Sequence, residues 1–195
     1  VLSGGDSNDI LNGGDGNDTV AGGNGNDVLS GGKGNDTFKV DSGVDAITDL
    51  SAGDVFVVSK GATMNATVGS DYVATNASSN AGTANLTTNG FKVDLSQSAG
   101  PNGFNVVNIG TGTTLIGNAG ANVLTGGVGN DVLSGGDGND ILNGGDGNDT
   151  VAGGNGNDVL TGGKGNDILK VDSGVDAITD LSAGDVFVVS KGATM

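Results

Sequence analysis

The stretch that decides the fold is GGVGNDVLS at 126–134, followed in unbroken register by GGDGNDILN at 135–143, GGDGNDTVA at 144–152, GGNGNDVLT at 153–161 and GGKGNDILK at 162–170. The same nine-residue phrase, Gly-Gly-x-Gly-Asn-Asp-x-apolar-x, also starts at Gly4, with Ser7 in place of its third glycine, and at Gly13, Gly22 and Gly31. A repeat of nine is too short for a domain and too regular for a loop, so it describes one rung of a stacked architecture. Its glycines reach positive φ without steric cost, and Asn-Asp continues a tight turn. The expected partition is therefore a turn over Gly-Gly-x-Gly-Asn-Asp and a three-residue strand over x-apolar-x, with the central side chain inward.

The inward residues read Leu2, Leu11, Val20, Leu29 and Phe38, then Leu124, Leu133, Leu142, Val151, Leu160 and Leu169. Two rungs running in opposite directions close one coil of eighteen residues. Stacked coils then form two parallel sheets around a thin apolar core. The fold class is all-β, a parallel β-roll or β-solenoid.

The sixth position of every rung is acidic: Asp9, Asp18, Asp27 and Asp36, then Asp131, Asp140, Asp149, Asp158 and Asp167. All 23 acidic residues are Asp, a short carboxylate that stays close to its own turn. Ca²⁺ is a hard cation that takes about six to eight oxygens, and carboxylates with turn carbonyls supply them. Zinc and copper prefer imidazole or thiolate, and the chain has neither His nor Cys. The plainer reading, that Asp and Asn are only good turn formers, leaves the unbroken register unexplained. A net charge of −16 points the same way, because stacked carboxylates repel until a cation joins them. Metal binding energy is then folding energy, and an expanded chain is expected without Ca²⁺.

These nonapeptides resemble the repeats-in-toxin (RTX) calcium-binding family. The resemblance implies a parallel β-roll with several Ca²⁺ ions held between turns one coil apart. It also implies ligands from glycine-turn carbonyls and from sixth-position carboxylates eighteen residues apart. Carried over, Asp9 pairs with Asp27, Asp18 with Asp36, Asp131 with Asp149, Asp140 with Asp158, and Asp149 with Asp167.

Weaker rungs continue the register. Asp45 and Asp54, with Ile47 and Phe56, follow Phe38; Asp176 and Asp185, with Ile178 and Phe187, follow Leu169. Lacking the double glycine, these acids either complete sites with Asp27, Asp36, Asp158 and Asp167 or are solvated acids on core rungs. Asn122 stands at the acidic position of the rung starting at Gly117, so a site shared with Asp140 is expected to be weaker.

Residues 65–116 lose the motif, yet apolar centres near Val68, Val73, Leu86, Val93, Val107 and Leu115 keep alternate spacings close to the coil length. The solenoid is expected to run through them, slightly wider and without metal. An inserted β-sandwich is the alternative, although about fifty residues make a poor independent core. The expected divisions are 1–64, a calcium-binding roll with degenerate final rungs; 65–116, a metal-free solenoid; and 117–195, a second roll. Within it, 132–195 repeats 1–64 with four changes: Ser7 to Gly138, Ser30 to Thr161, Thr37 to Ile168 and Phe38 to Leu169. The chain reads as about one and a half units of a tandem array.

No His, Cys, Glu, Arg or Trp is present, so no catalytic triad, thiol nucleophile or zinc site can be built, and an enzyme is not expected. Seven scattered lysines form no basic stripe, which disfavours nucleic acid, and no apolar run suits membrane insertion. Three roles remain. Near-identical long units favour a secreted or surface structural repeat: a layer, sheath, filament or adhesin stalk, with other copies of itself as end-to-end or lateral partners. The resemblance also allows the secretion and folding domain of a toxin or exoenzyme that leaves bacteria by type I secretion. An ice- or surface-binding adhesin solenoid should show a Thr row at the third turn position, where Asp6, Asp15, Asn24, Lys33, Asp137, Asp146, Asn155 and Lys164 stand instead.

Overall fold

In the computed structural model, which describes residues 1–190 and 193–194, strands and turns wind into a right-through stack of parallel coils, with no helix among the described residues. The last consensus rung of each run gives a strand of four residues, Thr37–Val40 and Ile168–Val171, whereas each rung followed by another double glycine gives a six-residue strand, such as Val132–Asp137 or Ile141–Asp146. The strand is longer than the expected triplet because pairing runs on through the double glycine: Gly127 faces Gly145 and Val128 faces Asp146. Stacked copies of one conformation keep their N–H and C=O groups in register even where φ is positive, as at Gly127 (φ 96°). The true turn shrinks to Gly-Asn-Asp.

Strands alternate between opposite sides of the roll. One side is a single ten-stranded sheet, from Ile10–Asp15 to Ala177–Ile178. The other is a five-stranded sheet that begins with Leu2–Asp6 and a seven-stranded sheet that ends with Val186–Val189. Every strand pair is parallel, including the small pair Gly174–Val175 and Ala193–Thr194.

The solenoid continues through 65–116. Thr63–Val68 lies in the ten-stranded sheet, Tyr72–Val73 in the seven-stranded and Ser79–Asn80 in the five-stranded one, so a coil here has three sides. The extra side lengthens the coil, giving the expected widening. Along the ten-stranded sheet, Ile10, Val28, Ala46, Asn65, Asn85, Asn105, Val123 and Ile141 face one another in turn. Those seven steps, of 18, 18, 19, 20, 20, 18 and 18 residues, make the 131-residue spacing of the two near-identical copies a whole number of coils.

One continuous core runs from Val20 to Leu169. Each roll rung contributes one buried side chain, whereas the wider middle holds Tyr72, Phe104, Met64, Leu86 and Leu95. Phe56 packs against Tyr72 at 6.1 Å and edge-on against Phe104 at 5.7 Å. Two expected centres shift by one residue. Val106, paired with Leu124, points inward and leaves Val107 outside. Tyr72 likewise displaces Val73, its hydroxyl reaching the Asp54 carbonyl at 3.1 Å and Ser78 Oγ at 3.2 Å. A one-residue shift reverses the face, and a buried phenol with partners wins the inward place. On the outermost coils Leu2, Leu11 and Ile178 are half-buried and Phe187 is exposed, since each is covered from one side only.

Candidate metal centre

The sixth-position aspartates stand in columns along the two edges of the roll. In each column Oδ1 accepts the backbone N–H of the residue one coil earlier. Asp9 donates to Asp27 (2.9 Å) and Asp27 to Asp45 (3.0 Å); on the other edge Asp18 donates to Asp36 (2.8 Å) and Asp36 to Asp54 (2.8 Å). In the second roll Asp131, Asp149, Asp167 and Asp185 form one column and Asn122, Asp140, Asp158 and Asp176 the other. These links use one carboxylate oxygen each.

The other oxygen decides what the columns can do. Among the described residues, Oδ2 of Asp9, Asp27, Asp36, Asp45, Asp131, Asp140, Asp149, Asp158, Asp167 and Asp176 is buried without a hydrogen-bond partner. The eight that belong to consensus rungs each lean into the space left by the first glycine of the rung. A Cβ added to Gly135 would collide with Asp140 Oδ2 and crowd the Gly153 carbonyl oxygen 2.5 Å away. Carboxylate and carbonyl oxygens thus crowd together with no proton between them, and burying such an acceptor alone costs roughly 1–3 kcal/mol. A cation satisfies both.

Asn122 is an internal control for this geometry. Its Oδ1 accepts the Phe104 N–H at 2.9 Å, which turns the amide nitrogen toward the turn. There Nδ2 donates to the carbonyls of Gly120 (2.6 Å), Asn118 (3.1 Å) and Gly135 (3.3 Å). Where the rung has an amide donor, the carbonyls are satisfied by protein; where it has aspartate, an acceptor occupies the donor's place. Residues 65–116 use the same device, with Asn80 Nδ2 on the Gly103 carbonyl (2.7 Å) and Asn108 Nδ2 on the Thr111 carbonyl (2.7 Å).

Burial pushes the carboxyls of Asp45, Asp140 and Asp149 up to about 6, against the N–H bonds that favour the anion and with help from neighbouring aspartates. Asp131 and Asp158 are raised for the same first reason. The weaker rungs divide. Asp45 and Asp176 keep an unpartnered Oδ2 like the consensus positions. Asp54 instead turns Oδ2 to the Ser51 N–H (2.8 Å) and hydroxyl (3.0 Å), and Asp185 turns its own to the Ser182 N–H (2.7 Å). The Asp185 carboxyl accordingly lies below its ordinary range. Asp18 keeps its place in the column and lies 3.7 Å from the terminal ammonium of Val1.

Two aspartates outside the nonapeptide register belong to the same turns. Asp49 accepts from the N–H groups of Gly31 (3.0 Å) and Gly32 (2.9 Å) and from Ser30 Oγ (2.6 Å); Asp180 does the same for Gly162 (2.9 Å) and Gly163 (2.7 Å). They finish the glycine ladder where no further Gly-Gly turn follows. The sequence signal is the shared Ile-Thr-Asp-Leu at 47–50 and 178–181, which falls off the nine-residue register. Among the described residues no group of three acidic side chains is placed to hold a metal ion by itself.

The chain matches the family model of the RTX calcium-binding nonapeptide repeat (4 copies) over residues 1–47, 110–142 and 143–178, more than half its length. Comparison with curated proteins gives no match.

Proposed function

Because the chain belongs to the family of RTX calcium-binding nonapeptide repeats, we propose that its aspartate columns hold Ca²⁺ between coils and that the solenoid is a calcium-stiffened structural segment outside the cell. The observation that carries this reading is the set of ten buried Oδ2 atoms without a hydrogen-bond donor, those of Asp9, Asp131, Asp140 and Asp149 lying beside a glycine carbonyl of the next coil. The ligand pairs are Asp9 with Asp27, Asp18 with Asp36, Asp131 with Asp149, Asp140 with Asp158, and Asp149 with Asp167. Asp45 and Asp176 extend the columns through Asp27 and Asp158. Asp54 and Asp185 close them, with one oxygen held by serine. Residues 65–116 are the metal-free spacer between rolls, their turns served by asparagine amides. The segment carries no catalytic role in this reading, and its partners are calcium and other copies of itself.

Near-identity of the two copies supports a structural repeat over the secretion domain of an exoenzyme, since mechanical periodicity needs equal units and secretion does not. The test is a calcium titration followed by circular dichroism and light scattering, with magnesium as control. A cooperative gain of β-signal with calcium alone is the expected result. An unchanged β-spectrum in excess chelator would overturn the coupling of metal to folding.

A further inference from the structure

We propose that the outer face of the ten-stranded sheet is a lateral docking surface for a second copy of this chain, laid antiparallel across a two-fold axis at Asn85. The first observation is charge. In a chain of net charge −16, the outward row from Ile10 through Asn85 to Ala177 and the neighbouring row from Asn12 through Thr87 to Thr179 contain only apolar, Ser, Thr and Asn side chains. The acids beside the second row, Asp49 and Asp180, are held by glycine N–H groups at its turn edge. The opposite sheets carry Lys39, Lys92, Asp94 and Lys170 on outward positions. The sheet's other exposed charged side chains, Asp15, Lys33, Asp146 and Lys164, stand at the far ends of their strands, where Lys33 pairs with Asp15 and Lys164 with Asp146, so two such acidic molecules meet with least repulsion along the two uncharged rows.

The second observation is that the row is self-complementary. Turning one copy over about the strand direction at Asn85 reverses the order of coils and keeps each row on itself. Asn65 then meets the partner copy's position 105, also Asn; Ala46 meets position 123, a Val; Val28 meets position 141, an Ile; and Ile10 meets position 159, a Val. Apolar side chains fall on apolar ones and amides on amides, which is what an isologous interface requires. Within each copy the central amides are already aligned, Asn85 Nδ2 on Asn65 Oδ1 and Asn105 Nδ2 on Asn85 Oδ1, both at 2.8 Å. Val28, Ile10 and Ile141 are 39%, 84% and 51% exposed. Ten strands at about 4.8 Å and two outward residues per strand make a strip of roughly 550 Å² a side, near the lower bound for a specific pair. The phase of the repeat preserves the strip, since Ile10, Val28 and Ala46 recur as Ile141, Val159 and Ala177 on the same sheet.

The inference rests on the folded solenoid and not on which cation folds it. Its test is sedimentation velocity of the 195-residue chain in saturating calcium, from about 5 to 200 µM, with circular dichroism on the same samples to separate failure to fold from failure to pair. Wild type should form a dimer within that range. Val28→Glu and Ile141→Lys, each placing a charge against an apolar partner, should each weaken it at least about tenfold. The double variant, which sets Glu against Lys across the two-fold, should restore it. Lys39→Glu on the opposite face should leave it unchanged. A folded wild type that stays monomeric, single variants that dimerise as wild type, or a folded double variant that fails to recover would each overturn the proposal. Binding of the monomer to a polysaccharide or mineral surface through this face, without self-association, would overturn it as well.

Discussion

Replacing Asn122 by Asp converts the one metal-independent turn of its column into a metal-dependent one, and the two states of the experiment can be assigned magnitudes. In wild type the Asn122 amide holds the Gly120 carbonyl at 2.6 Å and the Asn118 carbonyl at 3.1 Å, with a longer contact to Gly135. Two such bonds contribute about 1 kcal/mol each, and a carboxylate oxygen buried in their place without a donor costs about 1–3 kcal/mol more. Without metal the Asn122→Asp variant should therefore be less stable by roughly 3–5 kcal/mol. With calcium it gains a ligand pair with Asp140, whose Oδ1 lies at the next level of the same column. A site at a hundredfold excess of ligand over its Kd returns about 2.7 kcal/mol. Calcium should thus recover most of the deficit and raise the bound stoichiometry by one ion. The assay is a pair of denaturant melts at neutral pH, where the new carboxyl is ionised, one in chelator and one in calcium, both with the same stabilising osmolyte to favour the folded state, together with calorimetric counting of calcium. A variant destabilised equally in both conditions, with unchanged stoichiometry, would refute the argument that the amide takes the place of the ion.

Asp149→Ala should remove two calcium ions and Asp9→Ala one, by equilibrium dialysis, because Asp149 links both Asp131 and Asp167 whereas Asp9 links only Asp27; equal losses would speak against shared ligands. The metal-free chain should respond to pH in the sense opposite to an ordinary salt-bridged acid. Burial holds Asp45, Asp140 and Asp149 at about 6 when folded against 3.8 as the reference, so the folded state binds more protons between those values. Its contribution is full below about 4 and is lost as pH rises through about 6, so Tm in chelator should increase on acidification. Ser7→Gly should stabilise the first coil by about 1 kcal/mol in chemical denaturation, since Ser7 has a φ of 88° where the second copy has Gly138; no change would mean that the serine is unstrained.

The nine-residue register was enough to read the parallel stack, the inward column and the aspartate columns, because glycine positions and a two-state alternation of faces leave little freedom once a motif repeats. Its limits lie where one residue serves two demands. The double glycine was read as turn because glycine permits positive φ, but an identical neighbour one coil away lets the same conformation carry a ladder of hydrogen bonds. In Tyr72-Val73 and Val106-Val107 two adjacent apolar residues compete for one inward place, and only the cross-coil partner decides. Ser51 and Ser182 were illegible for a similar reason, as a serine three residues before an aspartate draws its carboxylate away only when the local turn closes. Asp49 and Asp180 lay outside any nonapeptide, and their role depends on where the glycine ladder stops.

The two kinds of coil solve one problem in different ways. A turn in a parallel solenoid leaves carbonyls facing inward at every level, and each must meet a donor or a cation. In the middle segment amides from Asn80 and Asn108, and at the start of the second roll those from Asn118 and Asn122, supply protons, and a broad core around Phe56, Tyr72 and Phe104 makes the middle coils stable on apolar burial. In the rolls one inward side chain per rung offers little apolar area, and aspartate adds negative charge to an oxygen-rich turn. On the function proposed above such a coil needs its ion, and the segment between the rolls would then be the template on which calcium-loaded coils grow in both directions. Its longer steps still complete whole turns, which keeps the rolls on either side in phase and their aspartate columns along continuous edges of the rod.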